Sequence, residues 1–343
     1  MTGVHGIPPK EGIQLYTARI DPHLTFGCEI AIDVDEALVS KLEAVQHSFL
    51  RRLLGLNSHS MLVILFTETG LVLIRYRRLQ LALSYLKYAA SCSKDHLAFA
   101  AFSHCCSLHR KGASSLIGDI IFALARLPIP VNCTLADCSV PERIDDMSAK
   151  VLQSWESSAM MFIQGSVRCH LLRNRIRVDP KGLVSPKALI TFRNYLTLIP
   201  TPKHRRAFVR FITSGHRLGV ELLRHTDRRY RPPVPREWRK CRFGCEEIKD
   251  EFHATLRCQA HPPLRIQRSL FLRHILSLVP DHKVWETRTD HDDFLRLVLF
   301  DERIITLVAK FIYEVESIFD SHRVWVPPPR LYIQIHSSSN TGM

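Results

Sequence analysis

Between Trp238 and Cys258 the chain reads WRKCRFGCEEIKDEFHATLRC. Cys241, Cys245, His253 and Cys258 stand at C-x3-C-x7-H-x4-C, three thiols and one imidazole within eighteen residues. A structural zinc ion takes four such ligands in a tetrahedron and leaves no position open for water. Four side chains must then meet at one point, which constrains the backbone more than any other stretch here. Gly244, inside the first cysteine pair, suits the sharp turn the pair needs. On one continuous α-helix, positions 253 and 258 would lie about 140° apart. The expectation is that the chain leaves the helix near Leu256 to bring Cys258 round.

The plainer alternative is ordinary thiols beside a surface histidine, since the gaps match no common finger pattern in full. Free cysteine is usually a small buried hydrophobe, and this segment is too charged to bury three. Structural zinc is therefore the expected cofactor. Glu246, Glu247, Asp250 and Glu251 offer a poorer alternative ligand set, and His261 is a spare.

A chain of 343 residues can bury a substantial core in two or three domains. Lys and Arg number 47 against 33 Asp and Glu, a formal +14, which favours an anionic partner, RNA or DNA before an acidic membrane surface. Seven of the ten cysteines are scattered outside the cluster. The opening MTGVHGIPPKEG lacks the apolar run of a signal peptide, so an intracellular, reducing compartment without a disulfide framework is expected. Cys133 and Cys138 form a pair with no second pair nearby. No uncharged apolar run approaches the roughly 20 residues that span a bilayer, so no membrane role is expected.

The expected fold class is mainly α, multi-helical, with a small Cys/His module. Residues 1–34 read as an incoming arm or strand. A helical unit follows over 35–92: Asp33 or Asp35 caps a stripe of Leu38, Leu42, Val45, Phe49 and Leu53, Gly55 ends it, and Met61 to Phe66 begins a second element. A third element carries Arg75, Arg77 and Arg78 on a basic edge. Residues 93–185 form a helical connector, with helices at Asp95–His109 and Ser114–Leu127, a loop at 129–139, the longest helix from Pro141 to about Arg175, and a linker at Val178–Ser185. Residues 186–262 hold helices at Pro186–Leu198 and Pro202–His225 and then the cluster. Helices at Pro263–Val279 and Asp301–His322 fill 263–323, and 324–343 is a tail with a short β-prone piece at Leu331–Ile335.

Charge concentrates just before the cluster. Lys203, Arg205, Arg206, Arg210, Arg217, Arg224, Arg228, Arg229, Arg231, Arg236, Arg239, Lys240 and Arg242 face only three acids in the same forty residues. Tyr230 and Trp238 interleave them. Guanidinium pairs with phosphate and stacks on bases, and aromatic faces stack on unpaired bases. These fifteen side chains are the candidate nucleic-acid contacts; the alternative is a solvated helix face followed by a basic loop.

Catalytic signatures are missing. Asp145-Asp146 and Asp292-Asp293 are the two Asp-Asp pairs, the kind that can hold two metal ions, and neither has strand context or a third carboxylate that can be placed. There is no phosphate-binding Gly-rich loop and no nucleophile elbow.

Two blocks carry a resemblance. The first holds Phe26-Gly27-Cys28-Glu29, Leu42-Glu43-x-Val45-Gln46, Phe49-Leu50-Arg51-Arg52-Leu53-Leu54-Gly55, Thr67-Glu68-Thr69-Gly70 and Arg75-x-Arg77-Arg78. The second is VPREWRKCRFGCEEIKDEFHATLRC. Together they resemble the region after the polymerase palm in non-LTR (LINE-type) retrotransposon reverse transcriptases, the fungal ones in particular. The resemblance spans roughly residues 15–262, specific at the two blocks and loose between them. It implies a thumb-like helical unit, a connector and a zinc module that grip RNA and DNA. Cys241, Cys245, His253 and Cys258 would be the metal ligands, and Arg51, Arg52, Arg75, Arg77 and Arg78 would lie on or near the thumb.

The palm, with its aromatic-x-Asp-Asp turn, is absent. The resemblance therefore implies a non-enzymatic, nucleic-acid-binding C-terminal fragment, with a palm-bearing polymerase chain as a further partner and the nucleus as its place. A thumb without its palm would expose an apolar patch around Leu38, Leu42 and Phe49. The rival reading is a helical structural or interaction protein with free cysteines. An enzyme using one of the acid pairs with Mg²⁺ is the third.

Overall fold

The computed structural model describes residues 6–186, 188–225, 233–282 and 291–327. The fold is mainly helical, with one two-stranded sheet among the described residues. The chain divides into two compact units. One holds residues 6–54, Met61–His170 and Ala188–Arg193; the other holds Gly55–Ser60, Leu171 to residue 186, and the described residues from Asn194 onward. No helix of the described residues is long and apolar enough to cross a membrane.

The first unit begins with helix where an arm or strand was expected. Helix α1 (Pro9–Leu15) runs through a π-turn (Tyr16–Ile20) into α2 (Asp21–Thr25). Pro9 is the first helical residue, where a missing N–H costs nothing, and Pro22 comes just after the π-turn. Helix α3 (Glu36–Leu54) starts where Asp35 accepts the Ala37 N–H at 2.8 Å. Its Phe49 is buried against Tyr16, with ring centroids 5.6 Å apart. The expected exposed patch is corrected in part: Tyr16 of the π-turn packs on Phe49, Leu42 is half-buried, and Leu38 is exposed. Helices α4 (Leu62–Thr69), α5 (Ile74–Ser91), α6 (Leu97–Arg110), α7 (Leu116–Ala125) and α8 (Pro141–Gly165) complete the unit. Helix α5 is its axis, packed on α3, α6, α7 and α8. Trp155 of α8 meets Phe66 edge-on at 5.3 Å and Tyr76 at 5.2 Å.

Two polar devices pin this unit. Buried Gln46 donates to Val72 O at 3.0 Å and accepts the Ile74 N–H at 2.9 Å, so it caps α5 from across the core. At the end of α4, residues 191–193 lie extended along Glu68, Thr69 and Gly70, where a helix over 186–198 was expected. Gly70 (φ +73°) cannot be replaced there, because a Cβ would fall 2.5 Å from the Phe192 nitrogen. Buried Arg193 donates to Thr67 O at 2.8 Å and lies 3.9 Å from the buried Glu68 carboxylate. The basic edge on α5 is also corrected. Arg75 pairs with Glu36 and Glu43, Arg77 with Asp21, and Arg78 with Asp33.

In the second unit the expected linker is a hairpin, β1 (Ile176–Val178) paired antiparallel with β2 (Val184–Pro186). Asp179 accepts the Lys181 and Leu183 N–H groups and closes the turn. Helix α9 (Tyr195–Leu198) is one turn long. The helix expected over 202–225 is two pieces, α10 (Pro202–Ile212) and α11 (Gly219–Leu222). The break lies at Thr213, whose hydroxyl bonds back to Val209 O, and at Ser214, which takes φ +49°. Helices α12 (Pro262–Leu278), α13 (His291–Leu299) and α14 (Ile305–Asp320) follow. Helix α14 is the axis here, packed on α10, α12 and α13. Phe271 stacks on Phe311 at 4.0 Å. The β-prone piece Leu331–Ile335 lies outside the described residues.

Candidate metal centre

The first two thiols sit on a short hairpin. Lys240 bridges Ile248, Cys241 N–H donates to Glu247 O at 3.0 Å, and Lys249 N–H donates to Arg239 O at 2.9 Å. Gly244, at φ +87°, makes the bend that returns Cys245 toward Cys241. The other two ligands sit at the two ends of a single π-turn, His253–Arg257, His253 as its first residue and Cys258 just past its last. The chain leaves the helix after Arg257, one residue past the expected exit at Leu256, but the exit alone does not bring Cys258 round. The helix first widens, and Cys258 N–H bonds to His253 O at 2.8 Å, an i→i+5 bond. That bond stacks residue 258 over residue 253, which an α-helix cannot do.

The ligand atoms of Cys241, Cys245, His253 and Cys258 all lie within 4.8 Å of one another, and this set can hold one metal ion. Cys258 Sγ is 3.9 Å from Cys241 Sγ and 3.7 Å from Cys245 Sγ. Cys241, His253 and Cys258 are buried; Cys245 is half-buried. His253 Nδ1 is 2.7 Å from Glu247 Oε2, whereas its Nε2 is buried without a hydrogen-bond partner. A ring that donates from Nδ1 presents the Nε2 lone pair, the form a metal ligand needs. The thiols share protons unevenly. A hydrogen bond from Cys258 holds Cys241 below the usual thiol value, and that same contact together with burial pushes Cys258 up to about 12.

Other acids of the segment do different work. Glu246 pairs with Lys240, Asp250 accepts the His253 N–H at 2.9 Å, and Glu251 meets buried His216 at 2.8 Å. His261 stacks on Phe243 with centroids 4.2 Å apart. Two buried residues beside the site carried no signal in the sequence. Arg268 of α12, buried, donates to Thr255 O at 2.7 Å and Cys258 O at 2.8 Å, taking the carbonyls at the π-turn's end. Lys249 is fully buried, its Nζ 3.9 Å from the Phe319 ring centroid and without a hydrogen-bond partner; burial lowers its pKa to about 6.

The candidate nucleic-acid contacts scatter by role. Arg205 donates to Ile199 O, Arg206 to Pro202 O, Arg210 to Gly55 O, Arg239 to Val220 O and Val234 O, and Arg242 to Phe319 O and His322 O. Arg217 pairs with Asp320, Arg224 with Glu221 and Arg236 with Asp250. Lys203 lies over Tyr313, and Lys240 over Trp238. Lys203, Arg217 and Arg236 remain exposed. Arg228, Arg229, Tyr230 and Arg231 lie outside the described residues.

The acid pairs do not gather. Asp145 and Asp146 are exposed on α8, with Asp145 paired to Lys87 at 2.6 Å. Asp293 pairs with Arg296, and the Asp292 side chain is outside the described residues. Among the described residues the Cys₃His set is the one group of three or more such side chains close enough to share an ion. Cys133 and Cys138 stand 3.4 Å apart at sulfur, without a third ligand. Compared with known protein families, with curated proteins and with solved structures, the chain matches none of them.

Proposed function

We propose that this chain is a zinc-stabilised nucleic-acid-binding unit, the kind of C-terminal segment that LINE-type reverse transcriptases carry, with no catalytic centre of its own. The observation that carries the zinc part is the Cys₃His geometry. A tetrahedron with metal–sulfur bonds of about 2.3 Å has edges of about 3.8 Å, and two of the three sulfur separations, those from Cys258, are 3.9 and 3.7 Å. Four protein ligands leave no place for water, so the ion is structural. It ties the hairpin of Cys241 and Cys245 to the π-turn and holds both beside the basic stretch.

Support for the nucleic-acid part is the surplus of Lys and Arg over residues 203–242, with Lys203, Arg217 and Arg236 presented to solvent. Binding of this kind is salt-dependent and weakly sequence-specific, because each neutralised phosphate releases counterion. RNA and DNA are both tested as ligands, alone and with a palm-bearing polymerase chain.

One observation favours the rival, a structural or interaction protein. Arg205, Arg210, Arg239 and Arg242 are bound to backbone carbonyls of their own unit. The deciding experiment is metal analysis of the purified chain with oligonucleotide binding at several salt concentrations. One zinc per chain, lost in Cys241→Ser/Cys258→Ser, with affinity that falls steeply with salt, supports the proposal. A metal-free chain, or one indifferent to RNA and DNA, leaves the rival.

A further inference from the structure

Beside the hairpin that carries Cys241, three arginines line one cavity, and two of them, Arg217 and Arg323, are exposed. Arg217, Arg242 and Arg323, with His322, line a space of about 680 Å³ that also touches Leu222 and Asp320. Three cations around one space repel each other unless something anionic sits among them. Two features of the protein oppose them. Asp320 Oδ1 lies 4.0 Å from Arg217 Nε. The C-terminal end of α14 carries partial negative charge, and Arg242 already takes its Phe319 and His322 carbonyls. One helix end and one carboxylate do not balance three arginines, so positive charge remains beyond the Arg242 cap and the Arg217–Asp320 pair, carried by exposed Arg323. The wall is built in place. His322 meets Phe243 edge-on at 5.0 Å and His261 at 5.1 Å, and Phe243 belongs to the hairpin between the first two metal-ligating cysteines.

We infer that this cavity is a phosphate-binding site, taking a phosphomonoester or phosphodiester group. The planar guanidinium fork matches phosphate oxygens two at a time. The inference rests on the nucleic-acid reading above for the source of that phosphate, which is a strand end or an internal linkage. Arg217 and Arg323 are exposed, so their removal leaves the fold in place, checked by metal content and circular dichroism.

The test uses the metal-loaded chain and Arg217→Ala/Arg323→Ala. Probes are a single-stranded 20-nucleotide RNA with and without a 5′ phosphate, and inorganic pyrophosphate by calorimetry. The expected result is an affinity for RNA about tenfold lower in the double variant, a salt slope smaller by about two, and pyrophosphate binding that the variant loses. A difference between the two RNAs that disappears in the variant assigns the site to a strand end; equal losses assign it to internal phosphates. RNA and pyrophosphate binding unchanged in the variant overturns the site while the nucleic-acid reading stands. Pyrophosphate bound through the two arginines without any RNA binding upholds the site and removes that reading. A chain that binds neither overturns both.

Discussion

Glu247 Oε2 lies 2.7 Å from His253 Nδ1, and this contact decides which imidazole nitrogen is offered to the three thiols. Outer carboxylates of this type fix the tautomer and raise ligand basicity, and losing one typically costs about 10–100-fold in metal affinity. Glu247→Ala is therefore expected to weaken metal binding by about that factor, with one ion still bound at saturation. Competition against a chromophoric chelator reads it. Affinity equal to the parent's would show that ring packing alone orients His253.

The π-turn depends on α12. Arg268→Leu leaves Thr255 O and Cys258 O without the donor that holds them at 2.7 and 2.8 Å. A hydrogen bond from a charged group contributes roughly 1.5–3 kcal/mol. A loss of about 3 kcal/mol is expected in the urea unfolding of the metal-loaded protein. Retained stability would mean that water replaces the guanidinium.

Lys249 should destabilise the metal-free protein. Its pKa is lowered to about 6 by burial, below the ordinary 10.5. Between these values the unfolded chain binds the extra proton, so the cost is fullest below pH 6 and fades as pH rises toward 10.5. At neutral pH it is on the order of a few kcal/mol. Lys249→Met is expected to raise Tm, by more at pH 6.5 than at pH 9. A gain independent of pH would show that the amine is charged in the fold.

Gln46 tests the first unit by itself. Gln46→Leu keeps the volume but orphans Val72 O and the Ile74 N–H, both tied by this one amide. Each buried unpaired backbone group costs about 1–3 kcal/mol. A loss of about 2–4 kcal/mol is expected, with metal content unchanged. A smaller loss in denaturant titration would indicate that α5 finds another cap.

Much of the fold is legible along the chain. The stripe from Leu38 to Leu53 gives α3, Asp35 caps it, and Pro141 opens α8. These are local signals, carried by 3.6-residue periodicity and caps. The errors fall where a distant partner decides. Residues 191–193 are extended because they pair with α4, and residues 178–185 turn back as a hairpin whose Val178 bonds to Phe300 and Glu302. Neither partner is near in sequence.

By itself, the sequence determined a mainly helical chain with a Cys₃His set at 241, 245, 253 and 258, because periodicity and ligand spacing are local properties. The tertiary structure decided how those ligands converge. Widening the helix at His253–Arg257 brings Cys258 over His253, and Arg268 of α12 satisfies the carbonyls at its end. It also decided which arginines serve the fold and which face solvent. A guanidinium binds whichever acceptor packing brings to it, and the sequence does not say whether that acceptor is a backbone carbonyl, a carboxylate or water.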